Sequence, residues 1–232
     1  MFLLLAIFAA LPAMVTAQAR QGPGLGRPEM TVEQSYLQES IIPMIIREQS
    51  RSESRDIKLL ALENIGNAID KGNKSEEIHS SLEFLSLEGI VNPIRQSGRV
   101  ANDFPDVRIR AAFYLGQLGS PEARRTLLRM LSAENEPMIL AEVMKSLGRM
   151  GKDESSETIN AIARTVDRFT SRNPDNLLAL AAIEAIERIN GANGRERNEA
   201  AIRTFTRISE GPYMRSVQDR ARRVIADMRR VN

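Results

Sequence analysis

The stretch "VRIRAAFYLGQLGSPEARRTLLRML", residues 107–131, reads as a helix, a tight turn and a second helix. Val107, Ala111, Leu115 and Leu118 fall at i, i+4, i+8 and i+11, one stripe of a 3.6-residue helix. The small side chain of Ala111 lets a neighbouring helix come close. Gly119 suits the C-cap that ends the first helix. Ser120-Pro121-Glu122 then supplies an N-cap, a first-turn proline and a first-turn acid for the second. Neither helix can bury its stripe alone, so the pair requires a partner.

That partner is in the same chain. Setting "PDVRIRAAFYLGQLG" (105–119) above "PMILAEVMKSLGRMG" (137–151) places Pro105 over Pro137, Val107 over Ile139, Ala111 over Val143, Leu115 over Leu147 and Gly116 over Gly148. The frame recurs upstream as Ile57, Ala61, Ile65, Gly66 and Ala68. It recurs downstream as Leu178, Ala182, Ile186 and Ile189, then as Val217, Ala221, Ile225 and Met228. The first members, at 57, 107, 139, 178 and 217, are separated by 50, 32, 39 and 39 residues. Second helices follow, with stripes Ile78-Leu82-Leu85, Ala123-Leu127-Leu131, Ile159-Ile162-Val166-Phe169 and Ala201-Phe205-Ile208. Each hairpin leaves one side bare for the next to cover. The fold class predicted is all-α, an α-solenoid of about four to five helical hairpins.

The Pro/Asp–Val/Ile–x3–Ala–x3–Leu-Gly blocks at 105–119 and 137–151, with "GSPEARRTLLRML" as a second helix, resemble HEAT-type repeats of the armadillo-like superfamily. The resemblance covers roughly residues 54–230 and implies a right-handed stack whose second helices line a concave, partner-binding surface. It weakens at the ends, as capping repeats do. The fourth copy has Ile186-Glu187 where the Leu-Gly pair stands, and the last copy has no room for a second helix. The 50-residue gap contains "GIVNPIRQSGRVANDFP", read as a loop with a short helix.

Residues 1–19, "MFLLLAIFAALPAMVTAQA", read as a secretory signal peptide. The apolar run from Phe2 to Val15 falls short of the about 20 residues that span a bilayer, and Pro12 breaks it. Val15-Thr16-Ala17 and Ala17-Gln18-Ala19 fit cleavage after Ala17 or after Ala19. No Lys or Arg precedes the run, a departure from the usual signal. Residues 20–30 are rich in Gly and Pro and read as a flexible linker, followed by the solenoid domain at 31–232. Its first helix is expected near Thr31, with Thr31 and Gln34 as a capping box. Pro43 is expected to kink that helix or restart it after Ser40, with Ile41, Ile42, Met44, Ile45 and Ile46 as core material. The chain is thus expected to be an exported, bacterial-type member of the family, in the periplasm or cell envelope, with no stable membrane span after signal cleavage. It contains no Cys, which excludes disulfides, lipidation at Cys, Cys-ligated metals and a Cys nucleophile.

Catalytic signals are thin. His79 is the single histidine and reads as an ordinary helix residue; no G-x-S-x-G occurs, and one His without Cys cannot supply the usual zinc ligands. "KGNKS" (71–75) lacks the order of a phosphate loop and reads as a helix end at Gly72 with Ser75 capping the next helix. "KDESSE" (152–157) lacks calcium-loop spacing and "NGANGRER" (190–197) reads as a turn. No catalytic residue, metal ligand or cofactor is assigned.

The net charge is +2, too small to argue for nucleic acid. It is uneven: residues 188–232 hold eleven Arg against five acids. Aligning the second helices of the third and fourth hairpins through Ile162/Ala201, Val166/Phe205 and Phe169/Ile208 puts Arg164 over Arg203 and Arg168 over Arg207. Each pair is spaced i, i+4 and shares a helix face. The four form a basic patch, read either as a docking site for an acidic protein segment or an anionic envelope polymer, or as a solvated face neutralised by Asp167 and Glu199. By the resemblance the patch lies on the concave surface. The function expected is a non-enzymatic protein-binding scaffold or adaptor. The alternative is an accessory enzyme or ligand-processing factor of the HEAT-like lyase type. Families of this kind that act on DNA bases conflict with export and with the scarcity of aromatic residues for stacking.

Overall fold

Pro105 and Pro137 each open a helix that ends at a glycine with positive φ, Gly119 and Gly151 (both φ 69°). Between these landmarks the chain folds as hairpins. The computed structural model describes residues 32–230, apart from 92, 154 and 195–197, with side chains from residue 41 onward. The signal reading of 1–19, its cleavage at Ala17 or Ala19, the linker 20–30 and the Thr31–Gln34 cap lie outside the described residues. Among the described residues the helices are α1 (Val32–Arg51), α2 (Arg55–Asp70), α3 (Glu76–Leu87), α4 (Pro105–Leu118), α5 (Pro121–Ala133), α6 (Pro137–Met150), α7 (Glu157–Thr170), α8 (Asn176–Ala192), α9 (Glu199–Glu210) and α10 (Arg215–Arg230). Strands β1 (Arg95–Gln96) and β2 (Arg99–Val100) lie between α3 and α4.

The hairpins are α2–α3, α4–α5, α6–α7 and α8–α9, and α10 closes the stack alone. All belong to one compact unit, residues 39–232. First helices α4, α6 and α8 pack on one another in sequence, and so do second helices α5, α7 and α9. The repeating stripes are the core: Ala111, Leu115, Val143, Leu147, Ala182 and Ile186 are fully buried. Ser120 caps α5 as its sequence requires, accepting from the Ala123 amide at 3.1 Å.

The frame glycines set how near the first helices come. A Cβ on Gly116 would lie 2.7 Å from the Cβ of Ser146 on α6, and one on Gly148 would lie 2.9 Å from the Cα of Ala185 on α8. In the fourth repeat this position is Glu187. It cannot fit such a contact, and it reaches Arg220 of α10 instead. A hollow of about 390 Å³ opens there, lined by Glu187, Asn190, Phe205, Val224 and Met228 among others. The fourth repeat therefore has an ion pair at the position where Gly116 and Gly148 allow direct backbone approach.

Two expectations are corrected. Of the two outcomes expected at Pro43, the restart after Ser40 does not occur, since Pro43 lies inside one continuous helix, α1. That helix meets the body along the stripe Ile42, Ile46 and Ser50, so Ile46 is fully buried while Ile41, Met44 and Ile45 are exposed. The gap before α4 holds a two-stranded ribbon in place of the short helix. Arg95 pairs with Val100 and Gln96 with Arg99. Ser97 and Gly98 both have positive φ (50° and 80°), the geometry of a two-residue hairpin turn that matches strand twist. The Asn102 side chain fixes the base of the ribbon by accepting from the Ile94 amide at 2.8 Å.

The acidic turn before α7 ties down the start of that helix through Asp153. Asp153 accepts from the Thr158 amide at 2.7 Å and from the Ser155 amide and hydroxyl at 3.2 and 2.8 Å. Burial pushes its carboxyl up, but the hydrogen bonds from Thr158 and Ser155 outweigh this and leave it below its ordinary 3.8. A lowered folded-state value means that the stability Asp153 contributes is present above 3.8 and lost as pH falls through the lowered value. Asp153→Asn places an amide donor against donors, so it is expected to cost about 1–2 kcal/mol at neutral pH. It should also flatten the acid-side loss measured by urea unfolding from about pH 5 to about pH 2. An unchanged acid slope would assign that loss to other carboxylates.

Candidate functional site

Second helices present their outward residues in a fixed register. The sequences "RTLLRM" (125–130), "RTVDRF" (164–169) and "RTFTRI" (203–208) sit on α5, α7 and α9. Each contains Arg-Thr, an apolar residue, a variable residue, Arg and a second apolar residue. The spacing is 39 residues each time, 125 to 164 to 203 and 129 to 168 to 207. The threonines are buried and bond back within their own helices: Thr126 to the Glu122 carbonyl, Thr165 to that of Ala161 and Thr204 to that of Ala200. The apolar residue that follows each threonine, Leu127, Val166 and Phe205, is fully or almost fully buried. With those faces fixed, the arginines point outward as two rows of three.

Arg164, Arg203 and Arg207 line a polar hollow of about 270 Å³ between α7 and α9, together with Asn160, Asp167 and Thr204. Arg168 lines a second hollow, toward α5, with Leu128, Leu131 and Ser132, and Arg164 borders that hollow as well. The four predicted arginines are thus on adjacent helices, but they do not act as one group. Arg207 pairs with Asp167 at 2.5 Å, and Arg203 approaches Glu199 at 3.5 Å. These are the two acids named as neutralisers of a solvated face. Arg125 and Arg129 of α5 complete the rows. They become visible when the second helices are aligned by themselves.

The rows differ in what they hold. In the row Arg129–Arg168–Arg207 each guanidinium reaches back to the preceding hairpin. Arg129 pairs with Glu83 of α3. Arg168 donates to the carbonyls of Glu134 at 2.9 Å and Leu131 at 3.2 Å, at the C-terminal end of α5, where a cation is favoured by the helix dipole. Burial and the nearby Arg172 hold its pKa below the ordinary value, against an opposing pull from Glu134. Arg207 pairs with α7. In the row Arg125–Arg164–Arg203 no arginine makes a hydrogen bond or ion pair to a neighbouring helix among the described residues. Arg125 and Arg203 have only a carboxylate from their own helix, Glu122 at 3.0 Å and Glu199 at 3.5 Å, with side chains 67% and 71% exposed. Arg164 is exposed and has no ion pair or hydrogen bond among the described residues. Such exposed pairs within a helix are weak, about 0.3–0.5 kcal/mol, and yield to a better-placed anion.

His79 is buried in α3 with neither ring nitrogen hydrogen-bonded, 3.8 Å from Glu76. No group of three or more metal-ligating side chains comes together among the described residues. No helix among them is long and apolar enough to cross a membrane. "KGNKS" forms the α2–α3 turn, with Gly72 at φ 85°.

A family model described as HEAT repeats matches residues 97–186. Residues 97–186 are HEAT repeats. The match covers α4 through most of α8, the part where the first helices approach at Gly116 and Gly148. No curated protein matches the chain in sequence. Among solved structures, the chain is similar to a chain of "the complex of CpcE and CpcF of phycocyanin lyase" from Nostoc sp. PCC7120. The TM-score is 0.55 at 18% identity, covering 94% of this chain and 71% of that one. At that identity the likeness is one of fold, and it covers nearly the whole chain.

Proposed function

We propose that this HEAT-repeat protein is a binding scaffold of the cell envelope that receives an acidic segment of a protein partner on the outer faces of α5, α7 and α9. The observation that carries the reading is the row Arg125, Arg164 and Arg203, placed in register on three successive second helices, with Arg164 unpaired among the described residues and the other two held only by carboxylates of their own helices. Six arginines on this face meet four carboxylates, those of Glu83, Glu122, Asp167 and Glu199. The solved neighbour belongs to a complex of two named chains, which supports a protein partner. Export rests on residues 1–19 and their cleavage after Ala17 or Ala19, and is part of the proposal.

The test is crosslinking and pull-down from the envelope of the native organism, beside a variant with Arg125, Arg164 and Arg203 changed to Glu. One partner captured by the native chain and lost with the variant is the expected result. Capture unaffected by the variant removes this face from the function, and absence of any partner removes the scaffold reading.

A second reading, an accessory factor of the lyase type, is supported by the fold it shares with a chain of the phycocyanin lyase complex. Native mass spectrometry of the protein from its own host distinguishes it, since a retained small molecule supports this reading alone.

A further inference from the structure

Resting on the scaffold reading, we infer that the row Arg125–Arg164–Arg203 reads an extended acidic segment in a polyproline II conformation, with a carboxylate at every third residue. Adjacent packed helices lie about 8–10 Å apart, so successive guanidinium groups in this row are presented at roughly that interval. A polyproline II strand has three residues per turn and rises about 3.1 Å per residue. Its side chains at i, i+3 and i+6 therefore share one face at intervals of about 9.3 Å. A β-strand alternates faces with period two, so the same spacing would turn every other carboxylate away.

The row has the properties a reader needs. Its members are exposed and bound to no neighbouring helix, so their guanidinium forks can turn to a ligand carboxylate in bidentate geometry. The row below is committed to other contacts, which keeps the helix spacing fixed. Between Arg164 and Arg203 the hollow of α7 and α9 is lined by the small side chains of Ala163, Ala200 and Thr204, with the Asp167–Arg207 pair also at its wall.

The experiment uses the protein purified from its own host and two fluorescent peptides of identical composition, each with three glutamates in a proline- and serine-rich background. One peptide carries them at every third position, the other consecutively. Titration by anisotropy at low salt is expected to show at least ten-fold tighter binding of the spaced peptide. The combined Arg125→Gln, Arg164→Gln and Arg203→Gln variant should erase the difference. Arg164→Gln alone breaks no contact in the fold and should lose most of it, with an unchanged melting temperature. Equal affinity for the two peptides, no binding of either, or equally good competition by short-chain polyphosphate overturns the inference. In those cases continued capture of the envelope partner, and its loss with the Arg→Glu variant, would leave the scaffold reading standing.

Discussion

Arg108→Ala is expected to lower the unfolding free energy by about 3–5 kcal/mol, the cost of leaving a buried charge without its partner. Arg108 is on α4, with its side chain 4% exposed, and its Nε donates to Glu134 at 2.8 Å; Glu134 is equally buried. A second bond runs to Asp103 at 2.7 Å, half-exposed and worth little by itself. The other Glu134 oxygen accepts from the amides of Asn135 and Glu136 at 2.8 and 3.0 Å, where α6 begins. One arginine thus ties α4 to the start of the next hairpin. Removing it strands the Glu134 carboxylate in a site that water does not reach. The double variant Arg108→Met with Glu134→Gln removes both charges and should recover much of the loss. Urea unfolding of the three proteins checks this, and a loss below about 1 kcal/mol in the single variant would contradict it.

Gly148→Val is the second large effect. The first carbon of the new side chain would fall 2.9 Å from the Ala185 Cα and 3.3 Å from its Cβ. The first of these contacts is with backbone, which cannot rotate away. Helices α6 and α8 must separate in the middle of the array, with an expected cost of about 2–4 kcal/mol. Gly191, on the same helix as Ala185, serves as the control. A Cβ there meets nothing within 4 Å, so Gly191→Ala should hold stability or raise it by up to about 1 kcal/mol through helix propensity. Equal midpoints for Gly148→Val and the native chain would show that α6 and α8 do not depend on that close approach.

The repeating frame was legible because burial imposes it. Val107, Ala111 and Leu115 and their counterparts must face a neighbour, and no other spacing keeps them on one helical stripe. The α4 to α9 hairpins follow from that alone. The ribbon at 95–100 was harder, since two strands of two residues give no periodic signal and only Ser97-Gly98 marks the turn. In α1 the run Ile41 to Ile46 is apolar all round, so composition gave no hint that only the Ile42–Ile46–Ser50 stripe would meet the body. The candidate face was half visible. Arg164, Arg168, Arg203 and Arg207 emerged from aligning two hairpins whose first helices step by 39 residues. Arg125 and Arg129 were hidden because the step from α4 to α6 is 32, and a frame set on first helices breaks there. The difference lies in the loops: α4 and α5 are joined by Gly119-Ser120 alone, while α6 and α7 are joined by residues 151–156. The second helices keep their own period through that change. The division of the rows had no sequence signal, because it depends on which neighbour each arginine reaches.

That division also gives the molecule a direction in time. Arg129, Arg168 and Arg207 all point toward the hairpin made before their own. A ribosome delivering this chain releases each acceptor, Glu83, then the end of α5, then Asp167, ahead of the arginine that will take it. In this row each arginine arrives after its acceptor, although other pairs, such as Arg108–Glu134 and Glu187–Arg220, wait for a later residue. Along this row, growth by nearest-neighbour addition is then a process with one favoured end.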